Sequence, residues 1–379
     1  MKLRIDREAF SAAVSWVARA LPARPALPVL SGVLLSIAHD RLTISGFDYD
    51  VSGQSTIDVE SDASGEFLVP RRLLAEIVKT LPEGTVEITI EGSRAQLSCG
   101  GAEFGLPTMP VDEYPVLPGL PAVIGSVGAQ EFAKAVSRTV VAAGRDETIP
   151  TLTGVRLELD ENTLSLLATD RYRMSRTQIP WRAANRGTTT ALVPAKTLSL
   201  LAKHLSVGGE ELMVHADDDA GDSPAMVGFS LRDRSCTMSV LDNQFPDLRP
   251  HINANYSTEF RVATAKWREV AQRVSLVADR YSQLRIHVEA DRLTVDAGNA
   301  QDAVASQAID CRYDEEPLSL SFNHEFLVDG LSAVSAPVTV VSVDGPQRRV
   351  LLTGEAADPD DPTDYSGFKY MLVPLIRHG

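Results

Sequence analysis

The chain has 379 residues, 44% of them apolar, and a formal net charge of −15. That length suits two or three domains, each with enough apolar material for its own core. No basic-then-apolar leader opens the chain and no apolar run reaches membrane-spanning length, and the acidic total taken alone argues against a nucleic-acid partner.

In chain order, residues 7–21 put Phe10, Val14, Val17 and Leu21 on one helical stripe, with Asp6 as N-cap. A hairpin follows, 33–37 and 42–45 flanking a polar turn at His39 and Asp40. Residues 70–81 read as a second helix whose first turn suits Pro70, and 86–90 with 96–99 read as closing strands. Pro107, Pro110, Pro115, Pro118, Gly119 and Pro121 then mark a joint.

The same order returns at a constant offset of 122 residues. Phe10 becomes Phe132, Val14 becomes Val136, Leu30 becomes Leu152, Gly32 becomes Gly154 and Asp48 becomes Asp170. The second helix stripe is Phe132, Val136, Thr139 and Ala143, the hairpin is 155–159 with 164–167, and the following helix is 194–205. A looser third copy has Trp267, Ala271, Val274 and Ala278 on its stripe, with Thr264 as the expected cap. Its hairpin is 284–288 with 293–295, its second helix is 323–333 capped by Asn323, and 338–343 with 349–352 close it. A unit of this size written three times implies repeating modules that build one curved or closed object. The expected boundaries are 1–122, 123–254 and 255–379.

Charge distribution qualifies the acidic total. Arg19, Lys134, Arg138, Arg273 and Arg280 lie away from the apolar stripes, and Arg71, Arg72, Lys79, Lys196 and Lys203 sit on the second helices. Equivalent helices thus carry basic outer faces; the competing reading of any single residue is a solvated surface cation, and the stripe as a whole says more than any one member. Cys99, Cys236 and Cys311 stand one per copy without ligand spacing, the pattern of reduced buried thiols. No phosphate loop, nucleophile elbow or His-Glu-x-x-His pair occurs, and the acidic runs lack the alternation of a calcium loop. Catalysis, a metal and a cofactor are therefore not expected.

Four stretches, in order within a triplicated chain, resemble the bacterial beta sliding clamp family. They are Arg24-Pro25-Ala26-Leu27-Pro28-Val29-Leu30, Ala168-Thr169-Asp170-Arg171-Tyr172-Arg173, Phe245-Pro246-Asp247 and Tyr370-Met371-Leu372-Val373-Pro374. The wording looks most like actinobacterial members. The resemblance implies an α+β fold of three tandem DNA-clamp modules, each with two helices packed on antiparallel sheets, in a head-to-tail dimeric ring. It implies a cytoplasmic homodimer that holds double-stranded DNA without reading sequence. Replicative polymerase, clamp loader and repair proteins would be its partners, through short peptide motifs. DNA contact is then expected of Arg24, Arg71, Arg72, Lys134, Arg138, Lys196, Arg273 and Arg280.

Phe104, Leu106 and Leu276 match the family's ring interface, though Phe104 and Leu106 alternate as any half-buried strand would. A peptide groove is expected from Leu152, Thr169, Arg171, Tyr172, Arg173 and Met174. Pro246, Pro250 and His251 would join them, with Met371, Leu372, Val373, Pro374 and Leu375, unless that last run simply completes a sheet. The tail Val373-Pro374-Leu375-Ile376-Arg377 departs from the family's Met-Pro-apolar-Arg-Leu, and Pro250, His251, Ser175 and Arg176 are also unusual. These departures raise an alternative reading, a specialised or inhibitor-tolerant second clamp copy with an altered groove.

Overall fold

The computed structural model describes residues 1–22, 25–184, 187–204, 209–217, 225–241, 245–252, 256–278, 283–298, 303–344, 349–358 and 360–375. Its helices are α1 (Arg7–Ala20), α2 (Arg71–Thr80), α3 (Ala129–Thr139), α4 (Ala195–Ala202), α5 (Arg249–Ile252), α6 (Thr264–Val274) and α7 (His324–Ala333). The sequence register carries straight into the backbone. Strands begin at Gly32, Arg41, Val51 and Glu60 in the first copy and at Gly154, Thr163, Arg173 and Arg182 in the second, each 122 residues on.

The helices form where the stripes placed them. Phe10, Val14, Val17 and Leu21 are all buried, as are Phe132, Val136, Thr139 and Ala143. Each large apolar side chain so removed from water contributes roughly 1.5–3 kcal/mol. Thr139 is the polar exception on a buried stripe. Its hydroxyl lies 2.9 Å from Ala135 O, to which it can donate, and 2.8 Å from Thr177 Oγ1, so burial leaves no unmet group.

Capping follows the expected chemistry at two helices and departs from it at three. Asp6 accepts from Ala9 N at 2.9 Å, and Asn323 accepts from both Glu325 N and Phe326 N. Thr264 is not the cap of α6. Ala263 holds that position, and Thr264 is a buried first-turn residue whose hydroxyl pairs with Thr339 Oγ1 at 2.8 Å. Pro70 and Pro194 sit one residue ahead of α2 and α4, ending a strand rather than opening the helix.

Two compact units result, Met1–Glu131 with Trp181–Val240, and Phe132–Pro180 with Leu241–Gly379. In unit 1 a five-stranded sheet runs Glu60–Ser61, Lys2–Asp6, Thr85–Glu91, Arg94–Cys99, Ala102–Pro107. A nine-stranded sheet joins strands of the first copy to strands of the second, the seam being Arg234–Ser239 against Val51–Asp58. In unit 2 the corresponding seam is Arg173–Pro180 against Phe368–Leu372, with register Arg173↔Leu372 to Thr177↔Phe368. Three sequence repeats therefore pack as two bodies, because sheet hydrogen bonding runs across the repeat boundaries.

The hairpin turn at His39 and Asp40 has φ of 49° and 57°, the left-handed pair that matches strand twist in a two-residue turn. Ala290 and Asp291 repeat that turn in the third copy. The second copy closes the same hairpin over a longer turn, with Asp160 N bonded to Thr163 O.

Candidate functional site

The strand Thr163–Thr169 reverses into Arg173–Pro180 through a turn closed by a backbone bond from Asp170 N to Arg173 O at 3.3 Å and braced by its own side chains. Asp170 Oδ1 accepts from Tyr172 N at 3.1 Å and from Arg173 N at 3.0 Å. Thr169 Oγ1 donates to Arg173 O at 2.8 Å and accepts from Arg171 N. Inside this lattice Arg171 adopts φ +80°, a conformation that costs a side-chain-bearing residue of order 1 kcal/mol. The first copy keeps both features: Tyr49 has φ +77°, and Asp48 accepts from Asp50 N and Val51 N.

The turn throws Arg171 and Tyr172 outward and draws Arg173 in. Tyr172 is 62% exposed and stacks on Phe326 of α7 at 6.3 Å between ring centroids, with planes 28° apart. Arg173 is buried and touches three elements at once. Its Nε donates to Asp170 Oδ2 at 2.8 Å, and its Nη1 donates to Asp329 Oδ2 at 2.7 Å and to Tyr370 Oη at 3.4 Å. The guanidinium also lies 4.2 Å from the centre of the Phe326 ring, a cation–π contact. The Tyr370 hydroxyl donates a hydrogen bond to Phe326 O at 2.9 Å. Gly330 makes room for this, since a Cβ there would stand 2.3 Å from the Tyr370 ring.

Electrostatics follow from the same contacts. Burial works to lower the affinity of Arg173 for its proton, but Tyr370, Asp329 and Asp170 together raise it above the ordinary arginine value. Burial pushes the Tyr370 phenol well up, so it is a neutral donor. Asp146 is held below the usual carboxylate range, first by the Thr148 hydroxyl and amide and then by the charge of Arg171.

Beside the turn opens a cleft of about 380 Å³, wholly within unit 2. Of the expected groove residues it gathers Leu152, Arg171, Tyr172 and Arg173. Thr169 braces the turn from behind, and Met174 is core, paired with Met371. Met371 and Leu372 are buried members of a strand flanked on both sides, so for them the sheet-completing alternative holds. Val373 N donates to Tyr172 O at 3.0 Å, and Val373 and Leu375 expose apolar surface on either side of a buried Pro374.

Pro246, Pro250 and His251 do not line this cleft, so two of the unusual residues leave its lining unchanged. Pro246 and Pro250 are exposed, and His251 Nδ1 accepts from Arg349 Nη1 at 2.8 Å. Of the other departures, Ser175 is buried, with its hydroxyl donating to Arg138 O, and Ile376 and Arg377 lie outside the described residues.

Sequence reasoning missed several lining residues, including Gly144, Arg145, Asp146, Ile149, Glu325 and Phe326. Gly144 was the readable signal. Its amide donates to Leu152 O at 2.7 Å, and an added Cβ would sit 3.1 Å from that oxygen. Phe326 carries no such mark, because an aromatic residue at helical spacing reads as core.

The basic residues divide by exposure. Arg72, Lys134, Lys196 and Arg273 are exposed, Arg72 paired with Glu76 at 3.0 Å and Arg273 bonded to Gln307 at 2.6 Å. Arg138 is half-buried, which lowers its pKa. Arg24 and Arg280 lie outside the described residues.

Arg71 corrects the expectation of a DNA-facing cation. It is only 7% exposed, and its Nη2 donates to Pro22 O at 2.6 Å, so it braces the segment ahead of residue 24. Burial lowers its pKa, with Tyr114 and Asp48 acting against that.

Leu106 also differs from expectation. It lies on the edge strand of the five-stranded sheet but faces inward opposite Ala95, fully buried, while Phe104 on the same face is half-buried opposite Leu97. Leu276 is 83% exposed, and Val304, which the sequence did not single out, is exposed as well. The three cysteines are free and buried, and burial pushes the Cys236 thiol up to about 12. Among the described residues no group of three His, Cys, Asp or Glu side chains is placed to hold a metal, and no helix is long and apolar enough to cross a membrane.

Three family models match the chain: DNA polymerase III beta subunit, N-terminal domain, over residues 1–118, its central domain over 126–247, and its C-terminal domain over 251–362. The beta sliding clamp of Streptomyces coelicolor is 38% identical over the full length of both chains. The beta sliding clamp homolog GriR of Streptomyces muensis is 34% identical, again over all of both. In structure, the DNA polymerase sliding clamp from Bacillus subtilis superposes with a TM-score of 0.89 at 24% identity, covering 100% of each chain.

Proposed function

The chain belongs to the DNA polymerase III beta subunit family, the bacterial beta sliding clamps, and on that footing we propose that it is itself a sliding clamp, a processivity scaffold and not an enzyme. Two copies close head to tail into a ring around duplex DNA in the cytoplasm, and the ring tethers the replicative polymerase, the clamp loader and repair proteins. The modules are 1–122, 123–254 and 255–379, a division that the 122-residue register of strands supports. Arg24, Arg72, Lys134, Arg138, Lys196, Arg273 and Arg280 meet the phosphates, and Arg71 acts behind them by holding Pro22. Phosphate contacts carry no base information, so the ring slides. The acidic remainder of the surface repels DNA and leaves the basic helices as the favoured contact.

The ring joint uses the open edge of strand Ala102–Pro107, the half-buried Phe104 and the exposed Leu276 of the other subunit, with Val304 adding apolar area. Client peptides anchor an apolar side chain in the unit 2 cleft against Leu152, Tyr172 and Phe326, next to Val373 and Leu375. Such a concave, mostly apolar site with a few fixed polar groups suits one or two anchoring side chains. The observation that carries this reading is the exposed aromatic wall of Tyr172 and Phe326, latched by a buried arginine, in a chain that writes one module three times.

The test has two arms. Solution mass should correspond to a dimer, and after loading the protein should stay on circular DNA and slide off once the circle is cut. A monomer that never persists on circles overturns the clamp. A peptide rich in Gln and Leu/Phe should bind the wild type and lose roughly tenfold or more against Tyr172→Ala, the loss of a hot-spot aromatic. Unchanged binding would remove the groove assignment.

A further inference from the structure

Most exposed arginines of unit 1 already have a carboxylate. Arg41 pairs with Asp233, Arg72 with Glu76, Arg182 with Glu211 and Arg232 with Glu210. With 51 acidic against 36 basic residues, that is the expected outcome for a surface cation. One spot differs. Trp16 of α1 presents its ring edge-on to His204, just past α4, with centroids 6.0 Å apart and planes at 72°. The indole Nε1 donates to Ser235 O at 3.4 Å, and Arg234 Cζ lies 5.6 Å from the indole centre. Arg19 stands one turn beyond Trp16 on α1, hence on the same face, and Lys203 precedes His204. Among the described residues neither Arg19 nor Arg234 forms an ion pair.

Two guanidinium groups and an imidazole thus gather round one indole with no ion-paired carboxylate among the described residues. Burial, and then Arg19, Arg234 and Lys203, hold His204 below the ordinary imidazole range, and among the described residues no carboxylate acts on it. Like charges held together by packing are stabilised by an arriving anion, which is what a phosphate supplies. The indole orients Arg234 in advance, so little freedom is lost on binding.

We propose that Arg19, Arg234 and His204, arranged about Trp16, form a site for a backbone phosphate of the encircled duplex, and that His204 takes up a proton from solvent as the phosphate arrives. This rests on the clamp reading and adds to it a proton-linked contact between α1 and the end of α4. The sign is fixed by charge. The imidazolium form attracts phosphate, so affinity rises as pH falls, and the bound phosphate in turn raises the pKa of His204.

The experiment follows the His204 ring by NMR in the intact, histidine-labelled dimer, assigned with His204→Gln. It compares free protein, protein with a short duplex at low salt, and protein with inorganic phosphate. The duplex should raise the His204 pKa. Between about pH 5.5 and 7.5 the wild-type affinity should fall, at most about tenfold per pH unit for one linked proton. His204→Gln should flatten that slope and match wild type near pH 8, where the histidine is neutral. Arg234→Gln should weaken duplex binding at every pH, an arm that stands if the glutamine at 204 fails to fold.

A His204 pKa that the duplex leaves unmoved overturns the proposal, as does an unchanged slope in His204→Gln. So does a response to inorganic phosphate alone, which marks a general anion site. Retention on circular DNA is scored separately: a retained ring with an unmoved His204 sinks only this inference, whereas loss of retention sinks the clamp reading.

Discussion

Replacing Arg173 by alanine should loosen unit 2 by a measurable amount. The change strands Asp170 and Asp329, removes the contact with Phe326 and deletes a donor to Tyr370. Removing one partner of a buried ion pair costs roughly 3–5 kcal/mol when the other stays dry. The Asp329 side chain is 34% exposed and regains water, so about 2–3 kcal/mol is expected here, with roughly 0.5–1 kcal/mol more for the lost cation–π contact. For a body of this size each kcal/mol moves the melting temperature about 2–4 °C, giving a drop of about 5–15 °C.

Calorimetry on wild type, Arg173→Ala and Arg173→Lys would measure it. Lysine keeps the charge but has no planar fork to serve two carboxylates and lie on a ring, so its melting point should fall between the other two. Peptide affinity should follow the same order, since the Tyr172–Phe326 wall depends on this latch. Arg173→Ala melting within about 1 °C of wild type, or Arg173→Lys no better than alanine, would refute the assignment of a latch.

Arg72→Gln should reduce the salt dependence of duplex binding by about 0.9 in slope if it meets one phosphate, while Arg71→Gln should lower thermal stability and leave that slope unchanged. Leu276→Asp should give a folded monomer by analytical ultracentrifugation, whereas Leu106→Asp, placed in the core, should give little soluble protein. Arg171→Gly relieves the positive φ and should raise the melting temperature, by about 1 kcal/mol of stability; a lower melting temperature would refute the strain. Circular dichroism melts would decide the sign.

How far the sequence was legible depends on the distance over which each feature is specified. The module, its helix stripes and its strand starts repeat at one offset and are set by local periodicity, so Phe132 is buried as Phe10 is. The turn around Asp170 was visible in its hexapeptide because its hydrogen bonds lie within four residues. Burial of Arg71 was not, since it depends on Pro22, 49 positions away. Leu106 and Phe104 share a face by strand alternation, but which of the two reaches the surface depends on the neighbouring strand. Phe326 escaped notice because its partners Tyr172 and Arg173 reach it across 154 and 153 positions, where no spacing rule operates.

The strand Phe368–Leu372 lies between Arg173–Pro180 and Val350–Glu355 rather than at a margin. During synthesis, unit 1 has all its sheet strands once Ser239 has emerged from the ribosome, but unit 2 must wait for Leu372. At ordinary translation speeds that delay is roughly seven to twenty-seven seconds. Throughout it the nascent polypeptide carries an unpaired edge at Arg173–Pro180, a ready template for pairing with another chain.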